Sequence, residues 1–197
     1  MSRRQKIYKY KSYVDKENIK FRGCIELNQR YLLEVPLIRD DENQKTVLVI
    51  MKNPSVADKN NSDHTINNVL KFCWGKGYRK VLIMNLYSFY STDPKGIANH
   101  INNNQIHLAV GEDNDKVLKD VLSEVYDIIV AWGGNTFGLT DYYKNRIKQV
   151  YKIINSKNLY YVESVSGEGW YPRHPQVWSV NKQIDMITWS GPTNNKQ

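Results

Sequence analysis

Four short apolar runs, residues 46–51 (TVLVIM), 80–84 (KVLIM), 127–131 (DIIVA) and 159–162, alternate along this chain with segments whose apolar residues recur at helical spacing. A continuous apolar run of this length suits a strand covered on both faces. Between the first two runs, Ile66, Val69, Leu70, Cys73 and Trp74 share one helical face, and Gly75 and Gly77 close that helix. Val117, Leu118, Val121, Leu122 and Val125 mark a helix before the third run, with a loop rich in Ser, Thr, Asp, Pro and Asn ahead of it. Tyr143, Ile147, Val150, Tyr151 and Ile154 mark another before the fourth. This alternation predicts an α/β three-layer sandwich with a central, mostly parallel four-stranded sheet and right-handed crossovers.

The flanks read differently. Residues 21–27 and 31–38 are β-rich and meet at Asn28-Gln29, which predicts an N-terminal antiparallel hairpin. The first twenty residues are basic and Tyr-rich without periodicity, as in a loosely docked arm. Residues 164–175 form a Gly/Pro loop, and a short amphipathic helix ending near Trp189 is expected after it. No internal repeat or linker divides the chain, so 1–197 reads as one domain.

Composition narrows the functional classes. The net charge of +8 and pI of about 9.3 favour polyanions, above all nucleic acid, through phosphate contacts. The 14 Tyr and 5 Trp offer faces for base stacking, although most lie in apolar patterns that assign them to the core first. Cys24 and Cys73 are too few for a disulfide framework, and with four scattered histidines no metal site is expected. No apolar run approaches the ~20 residues of a membrane span. The basic start is not followed by a signal-like apolar stretch, so a cytoplasmic protein is expected. Abundant Asn, Lys and Ile suggest an AT-rich genome, such as that of a phage or mobile element.

In a parallel α/β sheet, ligands bind beyond the carboxyl ends of the strands. Asn53-Pro54-Ser55 follows the first run, with Asp58 and Asp63 nearby. Asn85 and then Tyr87 to Tyr90 follow the second, Trp132-Gly133-Gly134-Asn135 the third, and Arg173-His174-Pro175 lies beyond the fourth. Each segment has a plainer reading: Asn-Pro as a turn former, Asn85 as a loop cap, the glycines as a tight turn, His174 as structural. The topology nevertheless brings all four to one edge.

These motifs resemble those of the uracil-DNA glycosylase superfamily over roughly residues 46–190. NPS is similar to its water-activating motif, VLIMN to the strand whose terminal Asn reads the uracil edge, IIVAWGGN to the strand ending in Trp-Gly, and RHPQVW to its His-Pro DNA-insertion motif. More narrowly, Arg30-Tyr31-Leu32, Asn53 to Asp58, Asp63 to Ile66, Asn85-Leu86, Thr92 to Pro94 and Arg173 to Pro175 resemble a bacterial and phage family known as domain of unknown function 1643. The chain then divides into a basic arm (1–20), a hairpin (21–45) and a glycosylase-like core (46–190).

The resemblance implies a monofunctional, cofactor-free DNA repair enzyme that flips uracil or a related pyrimidine from single- or double-stranded DNA and hydrolyses its N-glycosidic bond with water. The flip costs a few kcal/mol. Asn53 would hold the water, and Asn85 would donate to and accept from the pyrimidine edge. Pro54 and Ser55 would shape the pocket, and one of Tyr87, Phe89 or Tyr90 would stack on the base. His174 would donate to the oxyanion developing on the base. Arg173 and Gln176 would contact DNA, and Trp178 would act either as a wedge or as a buried anchor. An amide orients water but is a poor general base. Asp58 or Asp63 would supply a carboxylate, unless Asp63 serves as a helix N-cap. Gln176-Val177 stands where the superfamily carries Ser-Pro, and Met51-Lys52 precedes Asn53 in place of a Gly, leaving Lys52 to line the pocket or face solvent. Two alternatives stand beside the enzyme: a silent reader of uracil or modified bases, and a DNA-binding accessory protein with no pocket chemistry. A hydrolase or transferase acting on free nucleotides would call for a Gly-rich phosphate cradle or a metal cluster, and the sequence has neither.

Overall fold

The computed structural model describes residues 6–90, 94–134 and 138–193. Thr92, Asp93 and Asn135 of the motifs above lie outside the described residues, as do the first five residues of the arm. The strands are β1 (Lys20–Cys24), β2 (Gln29–Pro36), β3 (Thr46–Met51), β4 (Lys80–Asn85), β5 (Asp127–Val130), β6 (Asn158–Val162), β7 (Val165–Ser166), β8 (Tyr171–Pro172) and β9 (Met186–Thr188). The α-helices are α1 (His64–Gly75), α2 (Pro94–Asn102), α3 (Ile106–Val110), α4 (Asn114–Val121) and α5 (Thr140–Ile154).

The architecture is mixed α/β, built on one seven-stranded sheet of order β1-β2-β4-β3-β5-β6-β9. Its four middle strands, β4, β3, β5 and β6, are parallel, as the apolar runs require. The expected hairpin forms, but it is not an appendage. β2 pairs antiparallel with β4 from Leu33↔Ile83 to Pro36↔Lys80, because seven of its eight residues are buried and such a strand belongs in a sheet interior. At the other edge β9 pairs antiparallel with β6. The expected C-terminal helix is therefore replaced by a 3-10 turn at Pro175–Val177 and an edge strand. β6 has an open edge to cover, and the Met-Ile-Thr run suits pairing better than helix.

Side-chain alternation divides the core in two. Val47, Val49, Met51, Val81 and Ile83 face α1, while Leu48, Ile50, Leu82 and Met84 face the helices α2 to α5. The N-terminal segment is not loosely docked. Tyr10 and Val14 are buried in the α1-side core, and Tyr8 and Val14 bridge to Ser62 and Leu37. Its apolar residues cover a face that α1 alone leaves open. α2 and α3 occupy a stretch expected to be loop, because Ile97, Ile101 and Ala109 bury against the other face. No helix among the described residues is long and apolar enough to cross a membrane.

Candidate functional site at the carboxyl edge of the sheet

The β3–β4 pairing continues past the strands. Leu86 N donates to Met51 O at 2.8 Å and Tyr87 N to Lys52 O at 2.9 Å. The segment opening the Asn53-Pro54-Ser55 loop is thereby held against Leu86-Tyr87. That loop is also held from beneath: Arg30 Nη1 and Tyr90 Oη donate to Ala57 O at 2.6 and 2.9 Å, and Tyr10 Oη donates to Asp58 O at 2.6 Å. Arg30 is fully buried under the ring of Tyr90. Burial depresses its guanidinium, while the neighbouring Tyr90 and Asp63 work the other way. Sequence reading missed Arg30 in this role, since a cation within an apolar hairpin strand carries no local signal of what it will meet.

Asn85 ends β4 on the register pair Met51↔Asn85. Its side chain is buried, and neither its Nδ2 nor its Oδ1 has a hydrogen-bond partner among the described residues. Its backbone carbonyl is engaged, accepting from Asn114 Nδ2 at 3.0 Å. The next residue is anchored in the same way, with Leu86 O accepting from Arg146 Nε at 2.7 Å. Arg146 is itself paired with Asp115 at 2.5 Å. The strand end is thus fixed by its backbone, while its amide side chain stays uncommitted.

Beyond β5, Gly133 takes φ +70° and donates its N–H to Pro172 O at 2.8 Å. That bond joins the Trp-Gly turn to the His-Pro segment. Tyr143 Oη hydrogen-bonds Trp132 O and Gly133 O at 3.1 and 3.0 Å, and Trp132 Nε1 donates to Trp170 O at 2.9 Å. His174 caps the 3-10 turn: its Nδ1 accepts from Gln176 N at 3.3 Å. An accepting Nδ1 assigns the ring proton of the neutral form to Nε2. Burial, then the charge of Lys52, lower the His174 pKa to about 4. His174 is therefore a neutral imidazole with an Nε2–H donor at neutral pH.

Lys52 lines the site rather than facing solvent. It is buried, its Nζ donates to Gly134 O and lies 5.6 Å from the centroid of the Tyr143 ring, and burial lowers its pKa to about 8. Lys52, Gly133, Gly134, Tyr143 and His174 form one contiguous group, with Asn53 and Asn85 on the adjoining strand ends.

The other candidates have varied placements. Asn53 is partly buried, and its Nδ2 donates to Pro54 O at 3.2 Å. Pro54 and Ser55 are buried, and Ser55 Oγ has no hydrogen-bond partner among the described residues. Asp63 is the N-cap of α1, accepting from Ile66 N at 2.9 Å, though its Oδ2 is buried without a partner among the described residues. Asp58 accepts from Asn60 N and Asn61 N at 2.8 and 2.7 Å. Tyr87 is fully buried, its ring parallel to that of Tyr143 with centroids 6.3 Å apart. Phe89 packs edge-on to His100 at 4.5 Å. Trp178 has the placement of an anchor: it is buried against Phe72 and donates Nε1 to Arg173 O. Arg173 is partly exposed, its Nε 3.0 Å from Glu163 Oε2 and its guanidinium donating to Val177 O. Gln176 is exposed. Among the described residues, no group of three or more His, Cys, Asp or Glu gathers as a metal site would need.

Comparison with family models places this arrangement. The model of the family described as Protein of unknown function (DUF1643) matches residues 30–176. The chain belongs to this family. The DUF1643 match opens on Arg30 and closes on Gln176, so it takes in Arg30, Tyr90, all four strand ends and His174, and leaves Tyr10 and Trp178 outside. No curated protein and no solved structure matches the chain significantly.

Proposed function

We propose that this DUF1643 protein is a uracil-DNA glycosylase-like enzyme that takes uracil or a related pyrimidine out of the DNA stack and hydrolyses its N-glycosidic bond with water. The observation that carries this reading is Asn85, a buried carboxamide whose two polar atoms have no hydrogen-bond partner among the described residues, at the carboxyl edge of a parallel sheet. Burying an amide without partners costs about 1–3 kcal/mol, a cost a ligand removes by supplying one donor and one acceptor. The N3–H and O4 of uracil present that pair, whereas cytosine presents the reverse pattern at its amino edge.

His174 supports the same reading. A neutral imidazole with its proton on Nε2 suits donation to the oxygen on which negative charge develops as the base departs. Asn53 orients the water. The basic surface holds the DNA, and the uracil-DNA glycosylase-type fold is part of this proposal. A second reading, a silent reader of the base, is favoured by one observation: the two carboxylates expected to assist Asn53, Asp58 and Asp63, are engaged as turn and helix cap.

The test is incubation with single- and double-stranded uracil-containing oligonucleotides, followed by alkali to reveal abasic sites. Alkali-labile sites that disappear in Asn53→Ala and His174→Ala support the enzyme. Selective binding of uracil DNA without cleavage supports the reader. Neither cleavage nor preference over thymine overturns both.

A further inference from the structure

Lys52 is used by neither reading, yet it is placed for chemistry on the sugar that base excision leaves behind. It directly precedes Asn53, and its Nζ stands among the Gly134 carbonyl, the Tyr143 ring and His174. A buried amine of lowered pKa, about 8, is in part neutral near physiological pH, and a neutral amine is a nucleophile. Donation of an N–H to Gly134 O and the nearby Tyr143 ring together limit where the side chain can point. His174 offers a proton donor, Nε2–H, on the same side of the site.

We infer that Lys52 captures the C1′ aldehyde of a ring-opened abasic deoxyribose as a Schiff base and makes this protein an abasic-site lyase. The inference rests on the proposal that the site engages DNA, and goes beyond the monofunctional activity expected from sequence. The Nζ lone pair attacks C1′, and the aldehyde oxygen takes up a proton. The carbinolamine loses water, and a C=N iminium forms. The iminium acidifies C2′, which gives its proton to water. The electron pair of that C–H bond becomes the C2′=C3′ bond, and the 3′-phosphate leaves with the electrons of the C3′–O bond. Water then hydrolyses the iminium, returning the amine and an unsaturated aldehyde on the 5′ fragment. No oxidant or reductant is consumed.

The test uses the full chain and an oligonucleotide carrying one preformed abasic site, with sodium cyanoborohydride to reduce the C=N bond. The expected result is a covalent protein–DNA adduct on a denaturing gel, with the modified peptide mapping to Lys52 by mass spectrometry. Lys52→Met and Lys52→Arg should lower the adduct yield at least tenfold. Mapping on the unaltered chain keeps the test decisive if those variants misfold. No adduct, or an adduct mapping to another lysine, overturns the inference. Uracil excision without trapping removes the lyase and leaves the glycosylase. Trapping on preformed abasic DNA without uracil excision removes the glycosylase and leaves the lyase.

Discussion

A Cβ built on Gly133 would lie 3.0 Å from the Cβ of His174. The turn after β5 and the His-Pro segment beyond β6 thus approach as closely as side chains permit. Gly133 also has a φ of +70°, where an L side chain is strained. Gly133→Ala is expected to cost about 1–3 kcal/mol of stability and to displace His174. Urea denaturation measures the first effect, and the excision rate relative to the stability change measures the second. A variant with unchanged stability and activity would show that the approach is looser than described.

Asn85→Ala separates site from scaffold. The amide has no partner among the described residues to lose, so truncation should leave Tm unchanged or raise it. Loss of uracil recognition should lower excision about 100-fold or more, in the range of other single site donors. A fall in Tm equivalent to more than about 1 kcal/mol would mean that the amide is satisfied within the protein.

The acid limb of stability should carry a His174 signature. Its pKa is about 4 in the folded chain against an ordinary 6.5, so between those values the unfolded chain binds the extra proton. Stability should therefore fall as pH drops from 6.5 towards 4, and His174→Gln should flatten that slope in pH-dependent urea titrations. The cap that orients this donor needs an unprotonated Nδ1 to accept from Gln176 N, so excision should show no loss on crossing pH 6.5 from above. A loss centred there would place His174 in its ordinary titration range.

Arg146 should be the costliest single cation to remove. It is buried, pairs with Asp115 and holds Leu86 O beside Asn85. Arg146→Met is expected to cost about 3 kcal/mol or more. Asp115→Asn should cost less, because Asp115 is partly exposed and keeps a hydrogen-bonding side chain. Chemical denaturation of both variants checks the order.

The amino-acid sequence by itself determined the parallel centre of the sheet. Runs such as TVLVIM admit water on neither face, and helical periodicity located α1, α4 and α5 between them. It also placed Asn53, Asn85 and Gly133 just at or after strand ends and His174 in the loop beyond the fourth, since period and topology alone decide which residues lie there. The Asp63 cap was legible too, because capping is a contact within one turn.

Tertiary structure decided what local pattern could not carry. α2 and α3 form in an Asn-rich stretch because Ile97, Ile101 and Ala109 gain burial that outweighs weak helix propensity. The arm packs because Tyr10 and Val14 fill an open face, and residues 186–188 become a strand because β6 offers a free edge. The contact of Gly133 with His174, and the burial that lowers the pKa of His174 and Lys52, exist only after segments distant in sequence have met. A charge state depends on which atoms replace water around a group, and that is a property of the folded chain.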